Sequence, residues 1–318
     1  MKYIDVFNGD ADGICALHQL RLAAPQPQAR LITGVKRDVL LLEQLLNVEN
    51  AQLTVLDISF DRNRNAVEQL LQQNNQITYI DHHFSGDLPL SPQLTTHIDP
   101  HPETCTSLIV DTLLQGRFAL WAIAGAFGDN LDEVAQEKAS KMGLSEPQVT
   151  QLREIGHLLN YNGYGITLED LHIQPSELFL EVHTYRDPFD FYRQSATLLS
   201  LQQGYAQDME SVQNIGPLQD TRTGRVYQLP NAAWARRIVG VFSNQLARQA
   251  PEKAHATLLV NDDGSYRVSV RSPLVNRTGA DTLCRLFPTG GGRAAAAGIN
   301  NLPADQVDHF LEVFIQHF

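Results

Sequence analysis

Carboxylates, one amide and a pair of adjacent histidines stand directly after the apolar segments of the first half of the chain. They are Asn8, Asp10, Asp12, Asp57, Asp81, His82, His83 and Asp129. Carboxylates and imidazoles gathered at one edge of a fold would repel one another severely unless cations neutralised them. Such ligands suit Mn²⁺ or another borderline divalent ion. The residue types therefore predict a metal site, provided that the fold brings them together.

The chemistry of such a site is hydrolytic. A carboxylate shared by two ions makes a two-metal centre, in which the cations lower the pKa of a shared water towards neutrality and supply hydroxide. Each motif also has an ordinary structural interpretation, because an Asp-x-Asp-Gly segment after a strand is often only a turn and a helix cap. Adjacent histidines at a strand end have few packing reasons to exist. The ordered combination of all these motifs favours function.

The elements that must position these residues alternate between strands and helices. Periodicity predicts strands at residues 2–7, 29–35, 53–58 and 77–80, and helices at 14–24, 39–46 and 63–73. This alternation indicates a parallel sheet with helices on both faces. Ligands bind at the carboxyl ends of such strands, which is where the acidic residues stand.

The rest of the chain first becomes helical and then returns to mixed structure. The pattern predicts helices at 106–114, 118–127, 131–142, 146–159 and 195–215, and later at 232–248 and 304–318. It predicts strands at 225–229, 256–260 and 266–271, with a hairpin turn at 262–265. We therefore expect an α/β protein with a second, smaller α/β domain from about residue 226 onward.

Charge follows the same division. The chain has 318 residues, which suits two domains, and 24 Lys and Arg against 36 Asp and Glu give a net charge of −12. Residues 226–318 carry +2 and residues 1–225 carry −14, and five arginines but only one acid lie between residues 265 and 298. So acidic a chain is not expected to hold long nucleic acid or an anionic membrane surface, because polyanions bind through clustered cations.

The cysteines and the first residues of the chain indicate its cellular compartment and whether it begins with a signal peptide. Cys15, Cys105 and Cys284 are widely spaced and odd in number, so they form neither a disulfide framework nor a metal-binding pair. The chain turns acidic at Asp5, before the apolar core of a signal peptide could form. We expect a soluble, cytoplasmic protein.

The order of these motifs along the chain resembles the DHH phosphoesterase superfamily with its DHH-associated C-terminal domain. The motifs are the Asn-x-Asp-x-Asp-Gly segment, Asp57, the Asp-His-His segment, the Gly-Asp at 128–129 and the glycines 290–292 followed by Arg293. Within it, the chain resembles the hydrolases of pGpG and short oligonucleotides. The resemblance implies a catalytic DHH domain at 1–190, a helical linker at 191–225 and a substrate-binding domain at 226–318. The active site would lie in the cleft between the two lobes.

The resemblance also implies two divalent metal ions, Mn²⁺ above all. One would be held by Asp10 and Asp57, with Asn8 standing where the family usually has histidine. The ligands of the other would be Asp12, Asp57, His82 and Asp129. Asp57 would bridge the two ions, and the amide of Asn8 would weaken or alter the first site.

The same resemblance implies roles for two further residues of the Asp-His-His segment. His83 would contact the scissile phosphate or help the leaving oxygen to take a proton, and it joins Asp57 as a predicted catalytic residue. Asp81 would orient the neighbouring histidines through hydrogen bonds.

The second domain would bind the substrate's phosphates. Gly290, Gly291 and Gly292 would present backbone N–H groups as an anion nest. Arg293 stands where the family usually has histidine, and its guanidinium keeps a permanent cation there. Arg271 is a candidate clamp on a phosphate or a guanine edge. The aromatic residues of segment 160–165 would stack on a base or simply fill a turn between helices.

The charge division and the resemblance favour a short linear nucleotide as the substrate. The lead candidate is pGpG, cut to two GMP; cyclic dinucleotides and short oligoribonucleotides in general are alternatives, and pyrophosphate or polyphosphate is a weaker one. A nucleotide-binding regulator with a weakened metal site is the alternative from another class, supported by Asn8. A homodimer is left open.

Overall fold

The computed structural model describes residues 2–318, and the chain divides into two compact units between Gln203 and Gly204. Both units are mixtures of helices and strands, so the predicted α/β class is confirmed. Among the described residues, no helix combines the length and the apolar character that crossing a bilayer requires. The predicted domain boundaries and the predicted cleft between lobes stay predictions.

In the first unit the strands alternate with helices and then give way to a helical region. The strands are β1 (Lys2–Phe7), β2 (Arg30–Ile32), β3 (Ala51–Leu56), β4 (Gln76–Asp81) and β5 (Leu94–Ile98). The helices are α1 (Ala11–Ala23), α2 (Phe60–Gln72), α3 (Thr106–Leu113), α4 (Ala119–Gly128), α5 (Asp132–Lys141), α6 (Glu146–Gly163), α7 (Pro175–His183), α8 (Pro188–Gln194) and α9 (Ala196–Gln213), which continues into the second unit. Short 3₁₀ helices cover Leu41–Leu45 and Leu168–Asp170.

The sheet of the first unit is parallel throughout, in the order β2-β1-β3-β4-β5. Alternate residues of the strands, such as Val6, Val55 and Tyr79, are buried in one core cluster with residues of α2 and the first 3₁₀ helix. On the other face, Arg21 of α1 bonds to Asp5 and Thr54 of the strands. Helices thus cover both faces, as predicted, and the carboxyl ends of β1, β3 and β4 meet at one edge.

Several elements of the first unit differ from the prediction. The second strand spans only Arg30–Ile32, and the expected helix at 39–46 is a 3₁₀ helix. Strand β5 was not predicted because its sequence is mostly polar and it lies half-buried at the edge of the sheet. Helices α7 and α8 were not predicted because each begins with a proline, which at the first helical position is tolerated but elsewhere breaks a helix.

The second unit has a mixed sheet in the order β10-β11-β9-β8-β7-β6. Its elements are β6 (Gln219–Asp220), β7 (Gly224–Leu229), α10 (Ala233–Gln249), β8 (Ala254–Val260), β9 (Tyr266–Arg271), α11 (Ala280–Cys284), β10 (Gly290–Gly292), β11 (Ala296–Leu302) and α12 (Val307–His317), preceded by a 3₁₀ turn at Ala304–Gln306. Strands β7 and β8 are parallel and are joined by α10, whereas the other pairs are antiparallel. The hairpin predicted at 262–265 joins β8 to β9.

Small residues bring the helices of the first unit unusually close together. A Cβ atom at Gly128, the last residue of α4, would lie 2.2 Å from the Cβ of Ala11 at the start of α1. A Cβ at Gly156 of α6 would lie 2.1 Å from the carbonyl oxygen of Ala124 in α4. Both distances are shorter than any real contact. Glycine therefore sets the position of α4, and with it the position of Asp129, which directly follows this helix.

Candidate metal centre

The predicted metal ligands converge at the carboxyl edge of the parallel sheet. Asp81 is the last residue of β4, with His82 and His83 next, and Asp57 directly follows β3. Asp12 lies in the first turn of α1, just beyond β1. The polar residues reach this edge because adjacent parallel strands end side by side there.

Two overlapping groups of side chains lie close enough for one ion to touch every member. The candidate ligand atoms of Asp12, His82 and Asp129 all lie within 4.8 Å of one another, and so do those of Asp57, His82 and His83. His82 belongs to both groups: its Nε2 is 3.4 Å from Oδ1 of Asp57 and 3.7 Å from Oδ2 of Asp129. The second group admits His83 as a ligand as well.

Hydrogen bonding fixes which nitrogen of His82 faces the carboxylates. Its Nδ1 lies 3.0 Å from the backbone carbonyl oxygen of Thr104. A carbonyl only accepts, so Nδ1 must carry the proton and donate it. In neutral imidazole, Nε2 then keeps its lone pair for a metal ion, which is the usual arrangement of a metal-binding histidine.

The carboxylate of Asp12 is held rigidly by the start of α3. Its two oxygens accept from the backbone N–H groups of Thr106 and Ser107, each at 2.7 Å. A carboxylate oxygen has lone pairs for more than one partner, so these bonds orient Asp12 and leave it able to bind an ion. Thr106 Oγ1 lies 3.2 Å from Oδ1 of Asp57 and so ties the second carboxylate to the same helix.

Asp57 is the most strained member of the group. Its φ angle of +58° lies in the left-handed region, which residues other than glycine seldom adopt. Burial raises its pKa well above the usual range, and the charges of Asp10 and Asp12 raise it further. The pKa of Asp129 is raised to about 6, chiefly by burial. The fold thus disfavours the ionised form of both side chains in the absence of a metal ion, and a divalent cation would fit between them.

The two histidines of the Asp-His-His segment have different partners. His83 Nδ1 lies 2.7 Å from Oδ1 of Asp81, a fully buried side chain. Burial lowers the pKa of His83, but the hydrogen bond and the charge of Asp81 outweigh it and raise the pKa overall. His83 is thus oriented by Asp81, whereas His82 is oriented by the backbone of Thr104.

Asp10 and Asn8 belong to neither group, although the Asp10 side chain lies within hydrogen-bonding range of Asp57. Asp10 caps α1, its Oδ1 accepting from the N–H groups of Asp12 and Gly13 at 3.1 Å each. Its Oδ2 lies 2.5 Å from Nζ of Lys36. Burial raises the pKa of Asp10, but Lys36 and the N–H of Gly13 lower it below its usual value. Asn8 donates from Nδ2 to the carbonyl oxygen of Lys36 at 3.3 Å.

The predicted substrate residues lie together in the second unit. The glycines form β10 at one edge of the sheet, paired with β11, and Arg293 lies in the turn between these strands. Arg271 ends β9 and pairs across the sheet with Ala296 of β11, so it lies at the same end of the sheet. Their role in binding phosphate stays a prediction. In segment 160–165, Tyr161 is fully buried and bonds to His172, so it offers no stacking face.

Sequence reasoning missed three polar residues of this region: Lys36, Thr106 and Asn160. Lys36 directly follows the second predicted strand, a signal of the same kind as that of the acidic residues. A lysine in a loop is ordinarily solvated, and nothing in its neighbours indicates a buried carboxylate partner. Thr106 and Asn160 carry no such signal, because α3 and α6 bring them to the sheet only through tertiary packing.

Comparison with known proteins shows likeness in structure alone. No protein-family model matches the sequence, and no curated protein matches it. Exonuclease RecJ bound to manganese is 16% identical, with a TM-score of 0.62 over 99% of this chain and 90% of that chain. A pGpG-specific phosphodiesterase, PggH from Vibrio cholerae, is 14% identical, with a TM-score of 0.60 over 99% of this chain and 98% of that chain.

A third structure, RecJ from Thermus thermophilus in complex with Mn²⁺, is 16% identical with a TM-score of 0.64; the match covers 98% of this chain but only 51% of that one. The chain therefore shares the fold of the RecJ and PggH structures. The resemblance that the motifs indicate is confirmed at the level of the fold.

Proposed function

We propose that this protein is a hydrolase of phosphodiester bonds in short nucleotides and depends on a divalent metal ion. The observation that carries the proposal is the convergence of the Asp12, Asp57 and Asp129 carboxylates around His82, close enough for one ion to contact several of them. The residues that would hold the ion are Asp12, Asp57, His82 and Asp129. A divalent cation bound there would polarise a phosphate oxygen and lower the pKa of a water molecule.

His83 would act on the substrate through its second nitrogen. Asp81 accepts from Nδ1, which leaves Nε2 for a phosphate oxygen. Because Asp81 raises the pKa of His83, this imidazole is more readily protonated than an ordinary one. It would donate a hydrogen bond or a proton to the scissile phosphate or to the leaving oxygen.

The substrate we propose is a short linear nucleotide, with pGpG cut to two GMP as the lead candidate. Arg271, Arg293 and the glycine strand β10 offer cationic and backbone contacts for a second phosphate at one end of a sheet. The net charge of −12 disfavours a long polyanion. The likeness in fold to PggH, a pGpG-specific phosphodiesterase, supports this choice. Cyclic dinucleotides and other short RNAs remain the alternatives.

The experiment that tests the proposal is a comparison of substrates at fixed Mn²⁺ or Mg²⁺. Turnover of pGpG should exceed turnover of cyclic di-GMP, of longer RNAs and of pyrophosphate, and chelation should abolish it. His83→Ala should lose most of the rate, while His97→Ala, a change on the edge strand β5, should keep it. If no substrate turns over although nucleotides still bind, the regulator is the better description.

A further inference from the structure

The Asp10 carboxylate already has a cation. Nζ of Lys36 lies 2.5 Å from Oδ2 of Asp10, 2.8 Å from Oδ1 of Asn160 and 3.8 Å from Oδ1 of Asp129. The Asp10 side chain is 3% exposed and that of Lys36 is 24% exposed. A short contact to a buried carboxylate, supported by a second acceptor, gives the ammonium a defined position between two acids of the site.

The backbone around Lys36 is fixed as well. Its N–H donates to the carbonyl oxygen of Gly163 at the end of α6, and its own carbonyl oxygen accepts from Asn8 Nδ2. One residue earlier, the N–H of Val35 donates to the side chain of Asp38 at 3.0 Å. The lysine is therefore built into the centre and does not merely reach over it from the surface.

The partners of Asp10 differ in charge from those of Asp12. Backbone N–H groups bond one oxygen of Asp10 as the cap of α1, but the other oxygen accepts from the ammonium of Lys36, a full positive charge that Asp12 does not have beside it. The amide of Asn8 offers only Oδ1, a neutral atom that accepts from no donor among the described residues. A dication here would share this space with an ammonium group, and the two charges would repel each other.

We propose that Lys36 takes the place of one of the two cations, so that the centre binds a single divalent ion at Asp12, Asp57, His82 and Asp129. The inference rests on the proposed function for the existence of the ion and concerns the number of ions. It explains why an asparagine at position 8 is tolerated: where an ammonium neutralises Asp10, no imidazole is needed to hold a metal there, and the Asn8 amide instead anchors the lysine's own carbonyl.

The test is the number of Mn²⁺ ions bound by the full chain without nucleotide. Calorimetric titration and equilibrium dialysis should give one Mn²⁺ per chain for the natural protein, and its electron paramagnetic resonance spectrum should lack the exchange coupling of a manganese pair. The double variant Asn8→His with Lys36→Met should gain a second ion and the coupled signal.

A matched control separates the loss of a buried ion pair from the gain of a site. Lys138→Met breaks a pair of the same kind, since Nζ of Lys138 lies 2.6 Å from a buried oxygen of Asp111. This variant should still bind one ion. Circular dichroism shows whether each variant is folded, and the measurement on the natural protein needs no variant at all.

The outcomes distinguish the inference from the function on which it rests. Two Mn²⁺ ions of similar affinity in the natural protein would overturn the role of Lys36 and leave the hydrolase in place. A folded double variant that still binds one ion would also contradict it. Absence of any Mn²⁺ binding would overturn both proposals.

Discussion

At the scale of one residue, Asp57 has two features that lower the stability of the metal-free protein. It combines a left-handed backbone with a buried carboxylate among other acids. Residues held in such backbone conformations cost on the order of 1–3 kcal/mol and persist where the surrounding structure fixes them. Both features are expected of a residue kept for its chemistry, because neither helps the protein to fold.

Replacing Asp57 by asparagine should therefore stabilise the metal-free protein. The amide keeps the shape, tolerates the left-handed conformation and removes a buried acid, so the free energy of unfolding in chelator should rise by about 1–3 kcal/mol at neutral pH. Hydrolysis should fall by orders of magnitude. Urea unfolding measures the first effect, and Asp61→Asn, an exposed change on α2, is the control. A destabilised Asp57→Asn protein would mean that the carboxylate supports the fold.

The raised pKa values of Asp57 and Asp129 also predict how stability depends on pH. Between the usual value of 3.8 and the folded value of about 6, Asp129 binds more protons in the folded state than in the unfolded state. The contribution of Asp129 to the stability of the metal-free protein then decreases as pH rises through this interval, by about 3 kcal/mol. Asp57 extends the decrease to higher pH.

Thermal unfolding in chelator from pH 4 to 8 measures this dependence. Saturating Mn²⁺ should flatten it, because the cation stabilises the ionised carboxylates of the folded state. A metal-free protein that gains stability over the same interval, and to the same extent with and without Mn²⁺, would contradict the raised pKa values of these two side chains.

At the scale of elements, the strands were easier to predict than the packing of the helices. The motifs of Asp57 and Asp81 could be assigned to one edge because parallel strands end together, whichever helices cover them. Asp129 could not be placed by that rule, since it reaches the site only because α4 packs tightly against α1. The resemblance supplied its role, and periodicity did not.

The close contact of these two helices gives the next prediction. Gly128→Ala would place a methyl group 2.2 Å from the Cβ of Ala11, so the helices must separate. Overpacking of this kind costs about 1–3 kcal/mol, and the displaced Asp129 should weaken Mn²⁺ binding. Gly216→Ala is the matched control, because a Cβ there meets nothing within 4 Å. Calorimetric titration compares the two variants, and equal Mn²⁺ affinity would show that α4 does not set the position of Asp129.

At the scale of the whole molecule, charge is divided between an acidic unit and an arginine-rich one. The uneven charge could be found from the sequence by counting residues, and it led us to expect that the protein does not bind long polyanions. The strands β10 and β11 could not be predicted from the sequence, because three glycines and a run of alanines carry no strand periodicity. These residues pair only through the register of the sheet. The contact between Lys36 and Asp10 likewise depends on tertiary structure.

This division predicts that residues of the second unit affect substrate binding without affecting the metal. Arg271→Ala should raise KM for pGpG about tenfold, which corresponds to about 1.4 kcal/mol, with unchanged Mn²⁺ binding. Arg285→Ala, a change at an exposed arginine of the same unit, is the control and should keep the KM of the natural protein. An Arg271→Ala enzyme with normal KM and reduced kcat would instead give this arginine a part in the chemical step.

The two hydrogen bonds that orient Asp12 also determine when the site can form during synthesis of the chain. The N–H groups that orient its carboxylate belong to residues 94 and 95 positions further along the chain. During synthesis the acidic turn of α1 emerges early, but its carboxylate takes its final direction only after α3 has been made and has docked. Capture of the proposed ion would therefore be a late event in the life of the nascent chain, and a chain interrupted before residue 105 would carry Asp12 and Asp57 without the two donors and without Asp129.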